Sequence, residues 1–151
     1  GTGPAGGKDI DKVARTTYYD ILRATLTRSD PKEFLFFNRN TAGKRAATAF
    51  VERLKERTDD RDAPVSVKAF QTQLTAIKKW GRSTPENLSA ITAPTLIANG
   101  DNDRMVPSTL SEDLHRRIPA SELIIYPDSG HGGIFQHHDT FAPAAVDFLT
   151  R

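Results

Sequence analysis

The sequence predicts an α/β protein, helical in its first part and alternating strand and helix in its second. Three observations point there. Residues 9 to 90 carry apolar side chains at three- and four-residue steps, the period of one helix face. Pro94-Thr-Leu-Ile-Ala98 and Leu123-Ile-Ile-Tyr126 are short apolar runs, too brief for helices and rich in β-branched residues. Between them lies a helix signal. Strand, helix and strand at this separation form a βαβ unit, so the two strands run parallel.

The elements follow in order. Gly1-Thr-Gly-Pro-Ala-Gly-Gly7 contains a Gly-x-Gly-x-x-Gly string, but no strand leads into it as a dinucleotide site requires. Asp9, not Ser or Thr, follows Lys8, so it is not a P-loop either. Residues 1 to 8 read as a flexible connection. Ile10, Val13, Ala14, Ile21 and Leu22 then share a helix face, and Ser29-Asp-Pro31 breaks it. Phe34-Leu-Phe-Phe37 is a dense apolar patch. Ala46, Ala47, Phe50, Val51 and Leu54 mark one face of a further helix, with Lys44, Arg45, Glu52, Arg53 and Lys55 mostly elsewhere. Thr58-Asp-Asp-Arg-Asp-Ala-Pro64 is a charged, solvated linker. Val67, Phe70, Leu74 and Ile77 predict another helix, ending near Trp80-Gly81.

In the second part, Pro94 suits a strand entry. Thr109-Leu-Ser-Glu112 predicts a capping box for the connecting helix, which Pro119 stops. The last helix is expected to be capped by Asp139 or Thr140, with Pro143 in its first turn. Its Ala144, Ala145, Phe148 and Leu149 are expected to pack onto the sheet.

Composition narrows the function classes. The 151 residues suffice for one domain, and 37% hydrophobic with 26% charged residues is lean but globular. Net charge is +2 with the basic residues dispersed, so nucleic acid is not an expected partner. Without cysteine there is neither a disulfide framework nor a thiolate metal site. No apolar stretch suits a membrane span or a signal peptide, and a cytoplasmic location is expected. The single methionine is Met105, so Gly1 is not an initiator, and the chain reads as a processed, tagged or truncated product or as a fragment of a longer frame.

The chemistry lies in Gly100-Asp-Asn-Asp103-Arg-Met-Val106-Pro107 and Asp128-Ser-Gly-His131-Gly. Parallel strands put their carboxyl ends on one edge of the sheet, where ligands bind in open α/β sheets. Asp103 follows the first strand and His131 the second, 28 residues later, so both are expected at one crevice.

This pattern resembles the C-terminal part of the α/β-hydrolase family. There a strand ends in Gly-x-x-Asp-x-x-Val-Pro and a Gly-His step follows the final strand. Gly100, Asp103, Val106, Pro107, Gly130 and His131 match. The resemblance implies a partial α/β-hydrolase fold: residues 1–8 as the linker from a preceding sheet strand, a helical cap over 9–90, and the C-terminal part of the core over 91–151. It implies Asp103 as the orienting acid and His131 as the general base of a nucleophile-His-Asp triad. It also implies a cofactor-free reaction on an ester or related small apolar substrate. Cap aromatics are candidates for the pocket wall: Phe36, Phe37 and Trp80 first, with Phe34 and Phe70.

Rival readings are weaker. Asp101 stands one residue after Gly100, where the motif places its acid three after. Asp101-Asn-Asp103 lacks the glycine and glutamate of a calcium loop. His137 and His138 lack a metal-binding spacing, so no metal is expected. A nucleophile elbow is missing. Gly81-Arg-Ser83-Thr-Pro85 follows a helix rather than a strand. The oxyanion loop is missing too, so the chain alone is expected to be inactive and to partner a nucleophile-bearing N-terminal segment of the same fold. An open sheet edge is a route to self-association. The alternative is a non-catalytic domain that binds a ligand or partner and keeps the Asp/His pair as a relic.

Overall fold

A computed structural model describes residues 2–151. Its helical part comprises a 3-10 turn (Ile10–Lys12) and four helices: α1 (Val13–Thr27), α2 (Pro31–Phe36), α3 (Thr41–Glu56) and α4 (Val67–Gly81). Their N-termini follow local chemistry. The carboxylate of Asp30 accepts the Lys32 N–H at 2.9 Å, with Pro31 at the first helical position. The Asn40 side chain accepts from the Gly43 N–H at 2.8 Å, and Ser66 Oγ from the Ala69 N–H at 3.1 Å. Phe37, Ala47 and Phe50 form a buried cluster, with Phe36, Ala46 and Val51 packed against it.

The face of α1 is rotated from the expected one. Ile10 and Val13 are buried as expected, but Thr17, Asp20 and Ala24 continue the face, and Leu22 is exposed. Polar residues can occupy a buried stripe when each finds a partner. Thr17 Oγ1 donates to the Val13 carbonyl at 2.9 Å, and two arginines engage Asp20.

Residues 3 to 5 are buried against the fold, whereas Thr2, Gly6 and Lys8 are exposed. Ala5 is buried, and Gly6, at φ 68°, donates its N–H to the Trp80 carbonyl at 3.0 Å. The Trp80 indole N–H returns a bond to the Gly3 carbonyl at 3.0 Å. The glycines serve a turn that locks onto the end of α4, since φ in this region is costly for residues with a Cβ.

The second part contains a 3-10 turn (Leu88–Ala90), β1 (Thr95–Gly100), α5 (Ser108–Arg117), β2 (Ser121–Tyr126), α6 (Gly133–Gln136) and α7 (His138–Leu149). β1 and β2 pair in parallel, from Thr95 opposite Ser121 to Gly100 opposite Tyr126. Among the described residues they are the whole sheet. Ile97, Leu114 and Ile118 make its core with Leu88 and Leu123. Buried Asn99 ties β1 to the acid loop and to α5, donating to the Val106 carbonyl at 3.2 Å and to Ser111 Oγ at 3.1 Å. No helix among the described residues is long and apolar enough to cross a membrane.

Three boundaries differ from expectation. The capping box does not form, because α5 begins at Ser108 and Thr109 lies inside it. The Ser108 hydroxyl donates to the Gly100 carbonyl at 2.6 Å, which fastens the helix start to the strand end instead. α6 is an unanticipated short turn of helix. α7 starts at His138, so Asp139 and Thr140 lie in its first turn and Pro143 in its interior. Nor does α7 bury a face on the sheet. Ala144, Ala145 and Phe148 are half-buried, and Leu149 is 79% exposed.

Candidate active site

The loop after β1 presents Asp103 with its side chain wholly buried. Its Oδ1 accepts the backbone N–H groups of Met105 (2.8 Å) and Val106 (2.9 Å). Its Oδ2 stands 2.8 Å from Nδ1 of His131, on the loop after β2. A carboxylate can only accept, so Nδ1 carries the hydrogen, and in the neutral imidazole Nε2 keeps its lone pair. The described residues offer Nε2 no hydrogen-bond partner, and the imidazole remains 22% exposed. An acceptor nitrogen held in one tautomer and open to a cleft can take a proton from a neighbouring hydroxyl.

The two loops approach closely. A Cβ on Gly100 would lie 2.3 Å from the carbonyl oxygens of Ser129 and Gly130, so no larger residue fits between them. Asp101 staples the two loops together. Its carboxylate accepts the N–H groups of Asp128 and Ser129, each at 3.0 Å, and the Asn102 amide at 2.7 Å. Burial pushes its carboxyl upward, but the Ser129 and Asp128 N–H groups with the Asn102 amide outweigh this, and the group stays below its ordinary value.

The staple makes stability depend on pH. A carboxyl depressed in the folded state stabilises it above the unfolded pKa, about 3.9, and that stability is lost as pH falls through the folded pKa. Asp101→Asn is expected to lower the melting temperature at pH 7. The gap from the parent should close progressively below about pH 4. Thermal melts across pH check this, and a pH-independent gap counts against it.

An apolar cleft of about 260 Å³ opens beside His131. Ile10 and Val13 from the start of the helical part line it, with Ile77 and Trp80 from α4 and Met105 and Val106 from the acid loop. Trp80 is one of the cleft's lining residues. Phe36 borders the site, its ring 5.7 Å from the His131 ring and its carbonyl accepting the Gly132 N–H at 2.7 Å. Phe37 does not. It is 2% exposed and belongs to the core with Ala47 and Phe50, which removes it from the expected wall. Phe34 lies under the Arg23 guanidinium and Phe70 edge-on to Tyr18, both outside the cleft.

Other candidates face elsewhere. His137 stacks on Tyr126 and its Nε2 meets the Pro127 carbonyl at 3.1 Å, whereas His138 meets Arg53. Ser83 Oγ donates to the Lys79 carbonyl at 2.9 Å, at the end of α4. Sequence reasoning missed Ile10, Val13 and Ile77 as cleft walls, having assigned them only to helix faces. It also missed Asp20, whose buried carboxylate binds Arg39 and Arg104 at 2.6 Å each. An aspartate in phase with Val13 and Thr17 was the available signal.

Comparison with known proteins agrees with this architecture. A family model described as alpha/beta hydrolase fold matches residues 4–138. A 2-hydroxy-6-oxononadienedioate/2-hydroxy-6-oxononatrienedioate hydrolase of Klebsiella pneumoniae is 45% identical over 64 residues, 42% of this chain and 22% of that protein. The Escherichia coli enzyme of the same name is 35% identical over 102 residues, 68% of this chain and 34% of its own length. An alpha/beta hydrolase fold protein from Chitinophaga pinensis superposes with a TM-score of 0.85 at 34% identity, over 98% of this chain and 53% of that one. The chain thus spans about a third of the E. coli relative and about half of the solved structure. With its parallel strand pair, its matched length and its fold in common with these proteins, the chain belongs to the α/β-hydrolase fold family.

Proposed function

We propose that this chain supplies the acid and base of a nucleophile-His-Asp triad in a hydrolase of neutral, apolar esters. In this reading the nucleophile and oxyanion donors come from a segment outside these 151 residues, and residues 9–90 are the cap. The single observation that carries the reading is the 2.8 Å contact between Asp103 Oδ2 and His131 Nδ1 beside the apolar cleft. His131 Nε2 takes the proton of the attacking hydroxyl as it adds to the ester carbonyl. It then returns that proton to the departing alkoxide, and a water repeats the sequence on the acyl intermediate. Asp103 holds the tautomer and steadies the imidazolium between the two transfers. Such acyl transfer requires no cofactor.

The cleft bears on the substrate. The enterobacterial relatives are named for dianionic dienedioates, yet no cationic side chain lines the cleft among the described residues. A carboxylate held there would lose water without gaining a partner. With the nucleophile segment present, kcat/KM for a neutral short-chain aryl ester is expected to exceed that for a dienedioate by about 100-fold. Steady-state kinetics on the two substrates test this, and a preference for the dianion overturns the neutral-ester assignment.

A further inference from the structure

Asp20 lies on α1, far from Asp103 in sequence and with its side chain wholly buried. Burying a carboxylate is unfavourable unless charge and hydrogen bonds compensate it. Here the compensation is divided between the two parts of the fold. Oδ1 takes Nη2 of Arg39, which precedes α3, at 2.6 Å. Oδ2 takes Nη2 of Arg104 at 2.6 Å, and Arg104 is the residue immediately after Asp103. The same Arg104 nitrogen donates to the Phe34 carbonyl of α2 at 2.9 Å. Two residues on, the Phe36 carbonyl accepts the Gly132 N–H beside His131. The helical part therefore grips the acid loop through Arg104 and the histidine loop through Gly132.

The two arginines that hold Asp20 come from different parts of the fold. The Arg39 contact alone joins α1 to the start of α3. The Arg104 contact bridges α1 to the Phe34 carbonyl of α2 and, unlike the Arg39 contact, also fixes the backbone on one side of Asp103. The Met105 and Val106 N–H groups that hold Asp103 Oδ1 lie directly after it. Freed of its anchor, that turn can shift, and Oδ2 shifts with it.

We infer that Asp20 is a positioning residue, which acts through Arg104 to hold the Asp103 carboxylate in line with His131. The inference rests on the acid and base assignment above. Neither Asp20 nor Arg104 lines the apolar cleft, so their effect falls on the dyad rather than on substrate binding.

The test compares Asp20→Asn, Arg104→Met, their double variant, Arg104→Lys and Arg39→Gln. Two readouts are used. One is the low-field proton resonance of His131 Nδ1–H in the 151-residue chain, assigned by its loss in His131→Ala. The other is ester turnover with the nucleophile segment supplied. Asp20→Asn and Arg104→Met are each expected to broaden or shift the resonance. Each should lower kcat by about 10- to 100-fold at nearly constant KM, the scale of a small misplacement of a catalytic group. The double variant should be no worse than either single one, because both cut the same link. Arg104→Lys, which keeps a cationic donor, should recover part of the loss. Arg39→Gln removes an equally close contact to Asp20, but only within the helical part, and should leave resonance and kcat near the parent.

Equal losses in Arg39→Gln would mean that Asp20 only holds the helices together, and the inference falls. Additive losses in the double variant overturn it as well. An unchanged resonance and kcat in Asp20→Asn overturn it while leaving the proposed function intact. Absence of the resonance in the parent chain, together with turnover that survives His131→Ala, overturns the function and the inference together.

Discussion

Asp103→Asn is expected to lower kcat by about 10⁴-fold in the assembled enzyme, nearly as far as His131→Ala, with KM changed only a few-fold. The local hydrogen bonds dictate why so small a change matters. Met105 and Val106 both present N–H groups to Oδ1, so an asparagine there must keep its carbonyl oxygen toward them. Its NH2 is then turned to His131. Two donors cannot face each other, so Nδ1 must become the acceptor and the hydrogen moves to Nε2. That tautomer cannot take a proton from a nucleophile. The substituted residue keeps the shape of the site and loses its chemistry, so the damage should appear in kcat and not in the thermal melt. Steady-state kinetics with circular dichroism check both halves. Loss of less than about tenfold in kcat would show that Asp103 is not the orienter.

The meeting of Asp103 and His131 was legible because their placement is a consequence of topology. Once Pro94–Ala98 and Leu123–Tyr126 read as parallel strands, the loops after them had to meet at one edge, and β1 and β2 do pair that way. Gly100 and Gly130 were legible in the same pattern, for a reason that only the close approach of the loops reveals. Features that depend on phase rather than period escaped. The apolar steps of α1 predicted a helix correctly, but its buried side runs through Thr17 and Asp20 because distant Arg39 and Arg104 make a buried carboxylate tolerable. No local rule anticipates a partner 84 residues away. Phe36 and Phe37 show the same limit. Adjacent aromatics on one short helix end point in different directions, one to His131 and one into the core. Caps misled in the second part because hydroxyl groups had alternatives. Ser108 engages the Gly100 carbonyl, and the Thr109-to-Glu112 spacing was then incidental.

The 151-residue chain by itself is expected to hydrolyse no ester measurably above background. A triad histidine accelerates attack only by accepting a proton from a positioned nucleophile, and none of the described hydroxyls stands in that place. Ser83 is the nearest sequence match, and its Oγ is bound to the Lys79 carbonyl at the end of a helix, facing no strand edge. Ser129 is fully buried within the loop that carries His131, donating to the Tyr126 carbonyl at 2.9 Å. Oxyanion donors are each worth about 10²- to 10³-fold, so their loss compounds that of the nucleophile. Supplying a nucleophile-bearing segment of the same fold, fused ahead of Gly1 or added as a separate fragment, is expected to bring activity back, and His131→Ala in that assembly should abolish it. Asp103, His131 and the cleft are identical in both preparations, so any difference between them belongs to the added segment. Turnover by the chain alone that persists in His131→Ala would place the chemistry elsewhere in the molecule. Turnover by the chain alone that vanishes in His131→Ala would instead mean that one of its own hydroxyls reaches Nε2, and Thr2→Ala, at a hydroxyl residue that lines the cleft with His131, would be the first variant to distinguish which.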